Sequence, residues 1–220
     1  MATASAALSS RIFACCLAIF SLATVAHGQQ TRGARPNIEY RLIEQQPVAP
    51  GDKIEVVEFF WYGCPYCYEL QPALEDWIKR KPIDVTLRRI PAILRDNWAP
   101  HVRVYYTLEA LGELERLHQQ AYHGYHVEEL YMSKPDVMAQ WAVRHGIERQ
   151  KWLDAYNSSA VAQNVERAKE LTRAYSVPGT PSLVVDGRYL TSSSMAGSVR
   201  GVIPILDDLI NIARQQRTRK

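Results

Sequence analysis

Cysteine is scarce in this chain: there are four in 220 residues, and Cys15 and Cys16 lie inside an N-terminal apolar run. If that run is removed, Cys64 and Cys67 form the one dithiol left. Two cysteines so close in sequence shut a very small ring, which constrains an unfolded chain far less than a long-loop bridge would. Their value is chemical before it is structural. Long apolar runs are missing too. Outside the N-terminal segment no stretch approaches the roughly 20 apolar residues that a spanning helix needs. Charge of one sign is also lacking, because the formal net charge is only +3 and acids and bases are interspersed. Without a dense basic stripe a nucleic-acid partner is not expected. The terminal Arg214-Gln215-Gln216-Arg217-Thr218-Arg219-Lys220 reads as a frayed, solvated helix end.

The N-terminal run has the parts of a secretory signal. Arg11 precedes the apolar stretch 12–23, and Ala26-His27-Gly28 offers small residues at the two positions a signal peptidase reads. A retained membrane anchor is disfavoured by the shortness of the apolar core. A lipid anchor at Cys15 is disfavoured because most of the apolar residues would follow the modified cysteine. The expectation is a signal peptide over 1–28, cleavage near Gly28, export and a soluble product. What remains, roughly 190 residues, suffices for one substantial core or one domain carrying a large insertion. Export places the dithiol in an oxidising compartment, where it can cycle through the disulfide.

Residues 29–37 are polar, rich in Gly, Pro and Arg, and read as disordered. Tyr40-Arg41-Leu42-Ile43 reads as a short edge strand, and Pro47, Pro50 and Gly51 mark a loop. Ile54-Glu55-Val56-Val57-Glu58-Phe59-Phe60 reads as a central strand, apolar apart from its glutamates. Glu58 is its anomaly, since an acid in such a run either faces water or is buried for a reason. From Cys64 the pattern turns helical, with Cys67, Leu70, Leu74 and Ile78 on one stripe. Pro65 suits the first turn. Pro72 predicts a kink, because the carbonyl of Tyr68 loses its partner, and Pro82 closes the element. Residues 83–90 alternate as a second strand stopped by Pro91, which makes a β-α-β unit with parallel neighbours.

Between 97 and 175 only helical stripes appear, among them Val102, Tyr105 and Leu108, then Val161, Val165 and Ala168. The strand pattern resumes at Ser182-Leu183-Val184-Val185, turns at Asp186-Gly187 and returns through 188–191 as a hairpin. A last helix is expected over 198–214, with Pro204 in its first turn or at a mild kink. This order is that of an α/β thioredoxin fold interrupted by a helical insertion: 29–96, the insertion 97–175, and 176–220.

Cys64 falls just ahead of, or at, the start of the first long helix. Unpaired N–H groups and the positive end of the helix dipole favour its thiolate there. Cys67, one turn further in, faces the core. A C-x-x-C pair also suits zinc, but zinc needs two further ligands. No more cysteines follow and the histidines show no ligand spacing near the motif, so no metal is expected. The second marker is Val177-Pro178-Gly179-Thr180-Pro181-Ser182, where Pro181 directly precedes the hairpin strand and forfeits a ladder N–H. From the residues alone Pro181 reads as trans, because cis bonds are only about 5–6% of X–Pro bonds in folded proteins.

Glu-Phe-Phe-x-x-Gly-Cys-Pro-x-Cys, a helical insertion and Val-x-x-Thr-Pro together resemble the DsbA family of periplasmic thiol:disulfide oxidoreductases, within the thioredoxin superfamily. The likeness runs from about Tyr40 onward. It implies that Cys64 is the exposed nucleophilic cysteine and Cys67 its buried partner, and that Pro65 and Tyr66 tune the potential. It further implies a cis Pro181 beside the disulfide, with Thr180 ready to pair with a bound peptide, and a buried Glu58 that exchanges a proton with Cys67. The chain departs from the best-known members at Tyr66, where they carry histidine, so no imidazolium favours the neighbouring thiolate.

The implied activity is oxidation of unfolded or reduced exported proteins in the periplasm by a monomer with no bound cofactor. Reoxidation would fall to a DsbB-like, quinone-linked oxidase of the inner membrane. Phe60, Trp61 and Tyr62 read as apolar surface beside the motif, suited to such clients, although Phe60 reads equally as core. The rivals are an isomerase or reductase of the same superfamily, a chaperone with a vestigial disulfide, and a glutathione-conjugating enzyme. Isomerases usually carry a dimerisation domain, which residues 29–53 are too few to form.

Overall fold

The strand predicted from the apolar run is the axis of the described chain, residues 33–219 of a computed structural model. The expected signal peptide and its cleavage site at Gly28 lie outside the described residues. β2 (Ile54–Phe60) is buried at all seven positions. It pairs in parallel with β3 (Val85–Pro91) and antiparallel with β4 (Ser182–Val185). β5 (Tyr189–Ser192) and β1 (Arg41–Leu42) extend the sheet antiparallel beyond β4, in the order β1-β5-β4-β2-β3. Residues 186–188 join β4 to β5: Asp186 and Gly187 take left-handed φ of 52° and 69°, and Arg188 N–H closes the turn on Val185 O at 3.2 Å. A Cβ at position 187 would also stand 2.4 Å from the Gln46 carbonyl oxygen, so only glycine fits.

β3 begins later than the alternation predicted. Ile83 is 92% exposed, and Val85 N–H donates to Pro82 O in the turn that precedes the strand. Pro91 does not stop β3 but ends it from within. The strand lies at the sheet edge, where a missing N–H costs no ladder bond. Of the stretch expected to be disordered, residues 33–37 are held: Asn37 N–H donates to Tyr40 O at 2.7 Å and Arg35 pairs with Glu39.

Between β2 and β3 runs α1 (Pro65–Arg80), unbroken through Pro72, with Cys67, Leu70, Gln71, Leu74 and Trp77 buried. After β3 come a 3₁₀ turn (Asp96–Trp98), α2 (Ala99–Ala110), α3 (Leu114–His126), α4 (Pro135–Arg144), α5 (Arg149–Tyr156) and α6 (Ser159–Ala174). Among the described residues no strand interrupts this block. α7 (Val202–Arg217) starts four residues after the expected point, because Ser198 and Gly201 close a turn first, and Pro204 falls in its first turn. Its end is not a free, solvated tail. Arg214 bonds Asp84 at 2.9 Å, and the Arg217 guanidinium pairs with the Asp186 carboxylate of the hairpin.

The sheet separates two apolar cores. On one face Ile54 and Val56 pack with Leu70, Leu74 and Trp77 of α1 and with Leu206 and Leu209 of α7. There Trp77 Nε1 donates to Asp207 Oδ1 at 2.7 Å, tying the two helices together. On the other face Val57 and Phe59 pack against the helical block. The strand period of two thus sends alternate residues of β2 into different cores.

Candidate active site

β2 delivers its C-terminal end to the start of α1 through Trp61, Tyr62 and Gly63. Cys64 N–H donates to Trp61 O at 3.0 Å and closes this turn. The indole of Trp61 folds back over Gly63: a Cβ there would lie 2.3 Å from Trp61 Cζ2, so position 63 needs glycine for this close approach. Trp61 is half-buried and stacks on Trp98, with ring centroids 4.1 Å apart and planes within 2°. The expectation of apolar surface here is corrected in part. Phe60 and Tyr62 are buried, and Tyr62 OH meets His118 Nδ1 at 2.9 Å inside the helical block.

Cys64 caps α1 with extended backbone (φ −88°, ψ 116°), and its Sγ accepts from Cys67 N–H at 3.4 Å. Pro65 takes the first helical position, where its lacking N–H removes no bond. The Thr180–Pro181 bond is cis. Its loop lies against the dithiol, so that the Cys64 thiol donates to Thr180 O at 3.2 Å. The expected exposure of Cys64 is corrected: it is only 6% accessible, because the cap turns its sulfur back onto the helix and the Thr180 loop covers it. Cys67 is buried completely. Tyr66, by contrast, is 59% exposed and forms one wall of a cleft of about 420 Å³. The opposite walls are the Thr180–Pro181 loop, Ser192 and Val199.

The two sulfurs are pushed in opposite directions. The Cys64 thiol is lowered to about 6, first by the hydrogen bond that Cys67 gives it, against the cost of burial. The Thr180 side chain and the backbone N–H groups of Cys67 and Tyr66 add to the lowering. The Cys67 thiol is raised, chiefly by burial and then by holding the proton it shares with Cys64. At neutral pH one sulfur is a thiolate and the other a thiol.

Glu58 lies on the face of β2 beneath α1. In the parallel register it stands opposite Arg89, whose Nε donates to Glu58 Oε2 at 3.0 Å. Gln71 Nε2 reaches both Glu58 Oε1 at 3.2 Å and the Cys67 carbonyl at 3.4 Å, so one amide spans the acid and the residue above it. Arg89 is shared, its other arm bonding Glu75 at 2.6 Å, and Gln119 Nε2 donates to Gln71 Oε1 at 3.0 Å. Burial raises the Glu58 carboxyl, and the pull of Arg89 only partly offsets it. Sequence reasoning found Glu58 but missed Gln71, Arg89 and Gln119. Gln71 left a signal, a polar residue beside Cys67, Leu70 and Leu74 on a buried stripe. Gln119 left none. Glu55 has a parallel arrangement on the other face, held by both arms of Arg88 at 3.0 and 3.2 Å.

An ionised sulfur at a helix start and a protonated sulfur beside it can trade one disulfide with a passing thiol, and this sheet with its cis-proline loop is the frame that holds such pairs. The class so defined is the thioredoxin-fold thiol:disulfide oxidoreductase with an inserted helical subdomain. Residues 90–200 match the model of the DSBA-like thioredoxin domain. Thiol:disulfide interchange protein DsbA of Azotobacter vinelandii is 36% identical, over 89% of this chain and 92% of its own. That of Burkholderia cepacia is 35% identical, over 78% and 82%. The crystal structure of Pseudomonas aeruginosa DsbA superposes with a TM-score of 0.79 at 34% identity, covering 84% of this chain and 96% of that one. The chain belongs to the DsbA family, and its activity is enzymatic thiol:disulfide exchange.

Proposed function

We propose that this protein works as an oxidase in the periplasm, passing the Cys64–Cys67 disulfide to reduced, exported client proteins. A client thiolate attacks Cys64 Sγ, and the Cys64–Cys67 bond breaks. Cys67 leaves with the bonding electron pair and takes a proton, for which protonated Glu58 is the donor. A second client thiolate then attacks the client sulfur of the mixed disulfide and expels Cys64 as thiolate. The client gains a disulfide and the enzyme is left as the dithiol. In this scheme Thr180 and Pro181 hold the extended client beside Cys64, Tyr66 and Pro65 face it from the helix start, and Trp61 borders it on the far side. Reoxidation by a DsbB-like, quinone-linked membrane protein would complete the cycle, with the enzyme acting as a monomer whose helical insertion occupies about 97–175.

The observation that carries this reading is the split between the sulfurs, Cys64 lowered to about 6 and Cys67 raised. A low-pKa thiol is the better leaving group and is the sulfur at which exchange proceeds. That a stabilised reduced form makes an oxidant is the established account for this family; the point specific to this chain is that its own bonds supply the stabilisation without a histidine at position 66. Thiolate absorbance of the reduced protein tests it. The account expects a titration near pH 6 that disappears in Cys64→Ser. A single titration above pH 8 would overturn it.

A further inference from the structure

The turn that carries Cys64 has a second cleft on its other side, of about 560 Å³, between Trp61 and the helical block. Tyr125 and Met132 line it, and Tyr131 stands at its edge 69% exposed. His101 forms part of its wall, and its burial keeps it neutral, pushed down to about 4. Glu129 is the one acid among the lining residues, and no lysine or arginine lines the cleft. Trp61 makes the cleft continuous with the reacting centre. Its ring covers Gly63 and stacks on Trp98, its carbonyl holds Cys64 N–H, and its side chain is also part of the cleft wall.

A client chain reaching Cys64 must leave the site in two directions. One passes the cis-proline loop and the cleft of Tyr66. The other passes over Trp61. The second cleft lies on that side, because Trp61, three positions before Cys64, is one of its walls. We propose that it is a second client subsite, which takes an aromatic or large aliphatic side chain of the unfolded polypeptide on the side of the cysteine that crosses Trp61. The proposal rests on the oxidase reading for its client and on the aromatic walls for its preference. Edge-to-face or offset packing against Trp61, Tyr125 and Tyr131 rewards an aromatic guest beyond its buried area, and Glu129 disfavours an acidic one.

The test uses peptides with one central residue and a phenylalanine walked from five positions before it to five after, against alanine controls. With serine at the centre no exchange occurs, and binding is read from the Trp61 indole N–H resonance of the labelled protein. Phenylalanine on one side only should shift that resonance, and Tyr131→Ala should weaken the affinity of those peptides about fivefold without altering the alanine controls. With cysteine at the centre, the rate of oxidation divided by the same enzyme's rate with glutathione should show the same one-sided preference. Loss of that preference in Asn97→Trp, which fills the cleft, would support the assignment by an independent substitution. A Trp61 resonance indifferent to the phenylalanine position, or an affinity unaffected by Tyr131→Ala, overturns the subsite. Failure to oxidise any thiol would instead contradict the oxidase reading, and the serine peptides would still decide the subsite.

Discussion

At the scale of the residue, the chemistry depends on one sulfur keeping a proton that the other has lost. Cys64 collects the Cys67 hydrogen bond and the first backbone N–H groups of α1, while Cys67 is raised first by burial and then by the hydrogen bond it gives Cys64. Their substitutions should therefore fail differently. Cys67→Ser should accumulate mixed disulfides with exported clients, since the resolving thiol is gone, and Cys64→Ser should trap few; non-reducing electrophoresis reads both. Equal trapping by the two would contradict the assignment. The lowered Cys64 value also has a stability signature. A depressed folded pKa stabilises the reduced protein fully above the ordinary 9.0, and that contribution is lost as pH falls to about 6. Glu58 has the opposite sign. Its raised carboxyl contributes stability at low pH that is lost as pH rises through the folded value. Unfolding curves of Glu58→Gln should lack that loss, and proton uptake by Cys67 during exchange should lose part of its pH dependence. A variant with the wild-type pH profile would remove Glu58 from the mechanism. The cysteines were legible because a strand, a glycine and C-x-x-C mark a helix start. The Arg89 partner was not, because it depends on the register of two strands, 31 residues apart in sequence at this pair.

At the scale of the element, α1 and the turn before it join the chemistry to the core. The apolar stripe of α1 was readable from its period, and Leu70 and Leu74 are buried on it as expected. The motif placed Cys64 just ahead of, or at, the start of α1, and the structure makes it the capping residue. Boundaries were less legible: β3 starts after a local turn at Pro82, and α7 after the turn of Ser198 and Gly201, neither of which alters hydrophobic spacing. Two substitutions separate packing from site geometry. Leu74→Ala should lower stability by about 2–5 kcal/mol through the cavity it leaves, with the Cys64 titration unchanged. Gly63→Ala should displace the Trp61 indole and alter its fluorescence, because the new methyl would fall 2.3 Å from Cζ2. Unchanged Trp61 emission in that variant would show that the turn relaxes instead.

At the scale of the whole molecule, the order of strands and helices was enough to place the helical block between β3 and β4. What that order could not show is that the block covers the aromatic residues next to the dithiol. Tyr62 read as surface beside the motif and Phe60 as surface or core alike, yet both pack among Tyr105, His118 and Tyr122. Two aromatic residues next to a reactive cysteine read alike whether a subdomain covers them or solvent does. The central claim concerns the molecule as a redox couple: the fold favours its dithiol form over its disulfide. The direct measurement is the equilibrium between the Cys64–Cys67 pair and glutathione at neutral pH. The account predicts a potential clearly more oxidising than the roughly −270 mV of reducing thioredoxins. A value at or below that level would contradict it.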